Sequence, residues 1–159
     1  MLAGRKRKGQ LSLPTIPDGL LVVQNLSTGL DYPCFVELDL GSESVAARSH
    51  TRRAFAHKIE GYLDYLGSSF RQEFGIQAPP ILLIVTDSER RMQSLRSTAQ
   101  RLGGGGRYWF ATLDQLQDRG VADSQQTRHS AARHGPFWAS NWQTAHDDGW
   151  RSLAARCGI

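Results

Sequence analysis

Three acids and one lysine are the residues whose types and spacing could do chemistry. Pro17-Asp18 opens an apolar run, Glu37-Leu38-Asp39 interrupts the end of a second one, and Lys58 lies in the helical stretch that follows. Carboxylates stranded at the ends of core strands need a partner, because burying an unpaired ion is costly. A divalent cation is one such partner. Mg2+ takes hard oxygen ligands and keeps several waters, so two carboxylates suffice. Asp18 and Glu37 are the expected pair, with Asp39 a third ligand or a base beside them. A cation held there acidifies a bound water and neutralises charge on a phosphoryl oxygen, while a fixed ammonium at Lys58 stabilises transition-state charge or orients the nucleophile. The chain has sixteen arginines against three lysines, and Lys6 and Lys8 belong to the tail Arg5-Lys6-Arg7-Lys8. Lys58 is thus the only lysine of the folded body, and lysine, unlike arginine, can give up its proton.

A plainer reading stays open at this point. Asp18 can satisfy backbone donors after Pro17, as aspartates do in turns. Glu37 and Asp39 can form the solvent face of an exposed strand, with Lys58 a surface partner worth ~0–1 kcal/mol. Tyr62 and Tyr65 read as packing residues, and the five histidines show no metal-ligand spacing.

The elements that must position these residues follow from the apolar pattern. Ile16–Gln24 reads as a strand, Asn25–Asp31 as a turn rich in Asn, Ser, Thr, Gly and Asp, and Tyr32–Leu40 as the returning strand of a hairpin. Alternation along that strand points Cys34, Val36, Leu38 and Leu40 to the core, and puts Phe35, Glu37 and Asp39 together on the other face. A helix, well formed by Arg52, carries Phe55, Ile59, Tyr62, Leu63, Leu66, Phe70 and Phe74 at helical spacing, with Lys58 on the border of that stripe. Gly67 is its weak point and Gly75 its stop. Ile81–Thr86 reads as a strand buried on both faces. Asp87-Ser88 then caps a helix whose core face is Met92, Leu95, Ala99 and Leu102. Gly103–Gly106 reads as a flexible connector, since it lacks the Lys-Ser/Thr of a phosphate loop. Tyr108–Thr112 is a further strand and Leu113–Leu116 a helical turn.

Composition narrows the class. A chain of 159 residues, 40% hydrophobic and 21% charged, suits one globular domain with a real core. No apolar run approaches the ~20 residues of a membrane span, and no signal-type apolar segment follows the basic N-terminus. A cytoplasmic location and no membrane partner are expected. Cys34 and Cys157 make neither a disulfide framework nor a zinc motif. The net charge of +4 and pI near 9.4 point to a polyanionic partner. Residues 1–12 read as a basic flexible arm or linker remnant, 13–119 as the domain, and 120–159 as a polar C-terminal extension in which Trp138, Trp142 and Trp150 have no assigned place.

In order and spacing the sequence resembles the replication-relaxation family, within the PD-(D/E)xK (restriction-endonuclease-like) superfamily. The resemblance rests on Ile16-Pro17-Asp18-Gly19, on Phe35-Val36-Glu37-Leu38-Asp39-Leu40-Gly41-Ser42-Glu43, on Lys58-Ile59-Glu60-Gly61-Tyr62, and on the strand Ile81–Thr86 followed by Arg90-Arg91. It covers roughly residues 14–115. It implies an α/β restriction-endonuclease-like core: a mixed central sheet in the order hairpin, helix, strand, helix, strand, flanked by helices. It also implies a DNA-acting protein of plasmid or mobile-element replication or mobilisation, a candidate Mg-dependent endonuclease with Mg2+ or Mn2+ as cofactor and a relaxase or replication protein as partner. Asp18 and Glu37 match the metal-ligating acids and Lys58 the catalytic lysine, with Asp39, a third ligand or a base, completing the catalytic set Asp18, Glu37, Asp39 and Lys58. Arg5, Lys6, Arg7, Lys8, Arg53, Arg90 and Arg91 are the basic residues placed to contact DNA.

Two departures matter. The superfamily keeps a lysine two residues after its second acid, where this chain has Asp39; related families move that lysine to the next helix, where Lys58 stands. The family's usual N-terminal winged helix is also missing, as expected of the C-terminal part of a longer protein. The competing expectations are a non-catalytic DNA-binding or relaxosome accessory module on the same fold, and a plain α/β interaction domain.

Overall fold

A computed structural model describes residues 15–41, 55–68, 70, 79–117, 142–147 and 149–158. The basic arm with Arg5, Lys6, Arg7 and Lys8, together with Arg53, Phe74, Gly75 and Trp138, lies outside the described residues.

Six strands form one mixed sheet in sequential order. β1 (Gly19–Asn25) and β2 (Leu30–Asp39) make an antiparallel hairpin. β3 (Ile81–Thr86) pairs parallel to β2, and β4 (Tyr108–Thr112) parallel to β3. β5 (Trp142–Thr144) and β6 (Trp150–Arg151) add antiparallel at the far edge. The parallel pairs are joined by α1 (Phe55–Ser68) and α2 (Glu89–Arg101). Right-handed crossovers that advance in one direction place both helices on one face of the sheet. The core shows that outcome: Phe55, Ile59 and Tyr62 of α1 and Met92, Leu95 and Ala99 of α2 meet Phe35, Leu82, Ile84, Tyr108 and Phe110. On the opposite face Cys34, Leu83, Val85, Trp109 and Ala111 pack with Trp142 and with Leu153 and Cys157 of α3 (Leu153–Cys157).

The fold is therefore mixed α/β, with hairpin, helix, strand, helix and strand in the expected order. β3 is buried at all six positions, and 113–117 is helical. Three differences from the sequence expectation have physical causes. The helices cover the Phe35 and Glu37 face of β2, while its other face is buried at Cys34 and open at Leu38, so alternation alone did not tell core from solvent: Phe35 and Glu37 are 3% exposed, whereas Leu38 and Leu40 are 51% and 56% exposed. Trp142–Thr144 and Trp150–Arg151 are strands of the sheet, and Trp142, Leu153 and Cys157 belong to its core, so the domain does not end at 119. The glycine stretch is a defined stop. Gly103 N–H donates to Gln100 O and Gly104 N–H to Ala99 O, the paired bonds that close a helix on a left-handed residue. Gly103 has φ +87°, and a Cβ on Gly104 would come within 2.7 Å of the Tyr108 ring, so glycine is demanded at both positions.

Candidate functional site

The site is built at the C-terminal ends of β2 and β3, where open parallel sheets present their functional groups. β2 directs Glu37 and Asp39 to the face that α1 and α2 cover. In α1, Lys58 and Tyr62 stand four residues apart, hence one above the other on the same helix face. Tyr62 packs on Phe35, ring centroids 5.8 Å apart, and Phe35 also meets Phe70 edge-on at 6.0 Å. This aromatic packing sets the height of α1 over the strand and brings both side chains onto Glu37.

Glu37 is held from two sides. The Lys58 Nζ donates to Glu37 Oε2 at 2.9 Å, and the Tyr62 hydroxyl donates to Oε1. The Glu37 side chain is 3% exposed and that of Lys58 22%. Burial pushes the Glu37 carboxyl above its ordinary range; the bonds from Tyr62 and Lys58 pull it back down, and the like charge of Asp18 adds to the rise. The Tyr62 hydroxyl is pushed far up by burial and by its bond to the Glu37 carboxylate. It is therefore a fixed proton donor to that carboxylate and not a base.

Two residues further along the same strand face, Asp39 has a different partner. Arg91 donates from Nε to Asp39 Oδ1 and from Nη2 to Oδ2, each at 2.9 Å, and the Gly41 N–H donates to Oδ1 at 3.0 Å. This is the two-bond fork that arginine makes with carboxylates. The expected roles of both residues change accordingly. Asp39 is held through both oxygens by the Arg91 fork, and Arg91 ties the end of β2 to the start of α2. Arg90, one residue earlier, is exposed.

Asp18 is exposed, and its Oδ2 accepts from the Leu38 N–H at 2.8 Å. Its carboxylate extends the β1–β2 ladder by one bond, to a backbone donor across the hairpin instead of one in a local turn. For Glu37 the plainer reading does not hold, since the residue is buried. Asp18 still stands near enough to act on Glu37 and Tyr62 through charge.

The structure thus brings Glu37, Lys58 and Tyr62 into contact, with Asp18 within charge range, and pairs Asp39 with Arg91. Among the described residues no group of three or more His, Cys, Asp or Glu side chains could hold a metal ion, so a three-carboxylate cage does not fit. Asp18 and Glu37 fit a Mg2+-type ion by donor chemistry, because that ion is commonly held by one or two carboxylates with waters completing its shell.

Sequence reasoning missed two things. Tyr62 was assigned to packing, yet its spacing of four from Lys58 was the signal that both could reach one strand residue. Arg96 gave no signal beyond being an arginine inside an apolar face. It is 7% exposed, and bonds Gln143 Oε1 (2.9 Å), the Thr144 carbonyl (3.1 Å) and the Asp147 carbonyl (2.9 Å), fastening α2 to the C-terminal strands. A separate cleft of about 540 Å3 lies there, lined by Trp109, Thr144, His146, Asp147, Arg151 and Arg156 among others, and none of the strand-end acids lines it.

No protein-family model matches the sequence, and comparison with curated proteins and with solved structures gave no match. Among the described residues no helix is long and apolar enough to cross a membrane.

Proposed function

We propose that this chain is a DNA-acting domain with a restriction-endonuclease-like core, serving plasmid or mobile-element replication or mobilisation, and that its strand-end site cleaves phosphodiesters with Mg2+ or Mn2+. The observation that carries the reading is the convergence of Lys58, from a helix, on a buried Glu37 at a strand end, 2.9 Å apart. Stability is a poor reason for such a pair, since a buried ion pair does no better than well-packed apolar residues. Function is a better one.

Glu37 and Asp18 are the residues that would hold the cation. When bound, it supplies an acidified water and neutralises charge on the phosphate. Tyr62 keeps the Glu37 carboxylate in one orientation and Lys58 places a positive charge beside the scissile phosphate. The clamp of Arg91 on Asp39 fixes the end of β2 against the start of α2, so that Glu37 is presented from a rigid strand. Arg90, exposed next to the clamp, and the basic arm 5–8 supply flanking phosphate contacts. A relaxase or replication protein is the partner this role calls for.

A second reading is a non-catalytic DNA-binding or relaxosome accessory module on the same fold. The commitment of Asp39 to Arg91 favours it, because the third expected acid is taken out of play. Incubation with supercoiled, linear and single-stranded DNA separates the two. The enzyme reading expects salt-dependent binding plus cutting that requires Mg2+ or Mn2+ and falls steeply in Lys58→Ala. Binding without cutting of any DNA form makes the accessory reading correct, and no binding at low salt ends both.

A further inference from the structure

Lys58 sits where a cation bound to Glu37 would have to sit. We infer that Lys58 is the resident counter-cation of Glu37, that a divalent ion binds Glu37 by displacing the ammonium, and that this exchange releases Lys58 towards the phosphate. The inference rests on the reading that Glu37 holds the cation, and adds how the loading of that site is controlled.

Lys58 Nζ lies 2.9 Å from Glu37 Oε2, and a Mg2+-type ion on the same oxygen sits about 2.1 Å from it. Two cations on one oxygen are then at most about 5 Å apart, inside a region where Glu37 is 3% exposed. A dication and an ammonium that close repel strongly where water is scarce. Tyr62 bonds the other oxygen, Oε1, and is uncharged, so it keeps the carboxylate oriented while Lys58 leaves. Lysine suits such a departure: it is a point charge on a flexible four-carbon stem, whereas an arginine fork is pre-organised and two-pronged. The Lys58 side chain is 22% exposed, which gives the ammonium a route to the solvent side where a DNA phosphate would approach. Asp39 is the internal contrast, because Arg91 grips it by two parallel bonds and stays.

The test is Mn2+ affinity of the full chain at pH 8, read from the paramagnetic resonance signal of free Mn2+, for wild type, Lys58→Met and Lys58→Arg. Removing the competing ammonium leaves a buried carboxylate without its counter-ion, so Lys58→Met binds Mn2+ on the order of tenfold tighter, while Lys58→Arg binds no tighter than wild type. A second measurement needs no variant. Acylation by an N-hydroxysuccinimide ester, located by mass spectrometry, rises at Lys58 on adding Mn2+, with Lys6 and Lys8 as internal references. Mn2+ affinity unchanged or weaker in Lys58→Met overturns the inference. So does Lys58 acylation that saturating Mn2+ leaves unaltered, or the lack of Mn2+ binding by any form; if Lys58→Met does not fold, acylation decides. The two failures are distinguishable. Mn2+ exchange at Lys58 without DNA cutting retains the inference and removes the nuclease reading. Cutting by wild type without tighter binding in Lys58→Met does the reverse.

Discussion

Glu37 and Asp39 stand two residues apart on the same face of β2, and each is bonded to a cationic side chain from a helix at 2.9 Å. Their chemistry diverges because the cations differ. Arg91 binds Asp39 through two nitrogens in a planar fork, and the Gly41 N–H adds a third bond. Lys58 binds Glu37 through one point charge, and the remaining oxygen is left to an uncharged hydroxyl. The first arrangement closes a carboxylate; on the exchange inferred above, the second leaves it open to a competing cation. The difference teaches that an acid's place on a strand does not define a cation site; what matters is whether its partner can leave.

The comparison breaks most visibly in rate. Lys58→Ala should lower DNA cleavage on the order of 10²–10³-fold, the usual effect of losing one preorganised charge at a reacting phosphate. Arg91→Met should leave the cleavage rate of the folded protein within a few-fold, as a gel assay of plasmid nicking would show. Equal losses in both would mean that the two pairs form one functional unit.

Stability reverses the ranking. Arg91→Met leaves Asp39, whose side chain is 8% exposed, with one backbone bond in place of its fork, a loss of about 1–3 kcal/mol readable from urea midpoints. Arg96→Leu strands two carbonyls and a glutamine oxygen and should cost about 3 kcal/mol. A larger loss at Arg96 than at Arg91 would separate a clamp on one strand end from the fastening of a whole C-terminal segment.

The smallest effect is on titration. The folded-state pKa of Glu37 is raised above its unfolded value, so the folded protein binds the proton more tightly than the unfolded chain. Stability therefore falls as pH rises from the unfolded value near 4.5 through the raised one. Relative to Glu37→Gln, wild type should lose stability across that window, in matched denaturation curves. Tyr62→Phe removes a bond that lowers the Glu37 pKa, so the carboxyl resonance of Glu37 should titrate at higher pH than in wild type. A shift to lower pH would show that Tyr62 does not hold the carboxylate.

Much of this was legible in the sequence, for identifiable reasons. The apolar run Ile81–Thr86 was bounded by Pro79-Pro80 and Asp87-Ser88, which left little room for another element. The period of Met92, Leu95 and Ala99 gave the buried face of α2. The shared face of Glu37 and Asp39 followed from strand alternation, and the proximity of Glu37 to Lys58 from the place of Lys58 at the edge of the α1 stripe. What stayed hidden depends on partners distant in sequence. Nothing local tells that Asp39 will find Arg91, 52 residues later, or that Arg96 will be satisfied by the 143–147 segment. Asn25 is a further case. It reads as a turn residue, and its Oδ1 does accept from Ser27 N–H and Thr28 N–H, but its amide also donates to the carbonyls of Cys157 and Gly158 and docks the C-terminal helix on the hairpin. Burial hides chemistry in the same way: the Cys34 thiol is pushed up to about 12 chiefly by burial, and it serves as core.

The most direct test of the central claim sets the two acids side by side. Supercoiled plasmid is incubated with Mn2+ and equal amounts of folded wild type, Glu37→Gln and Asp39→Asn. The account predicts metal-dependent nicking by wild type and Asp39→Asn, and none by Glu37→Gln. Nicking that survives in Glu37→Gln but vanishes in Asp39→Asn, or a wild type that leaves the plasmid intact, would contradict it.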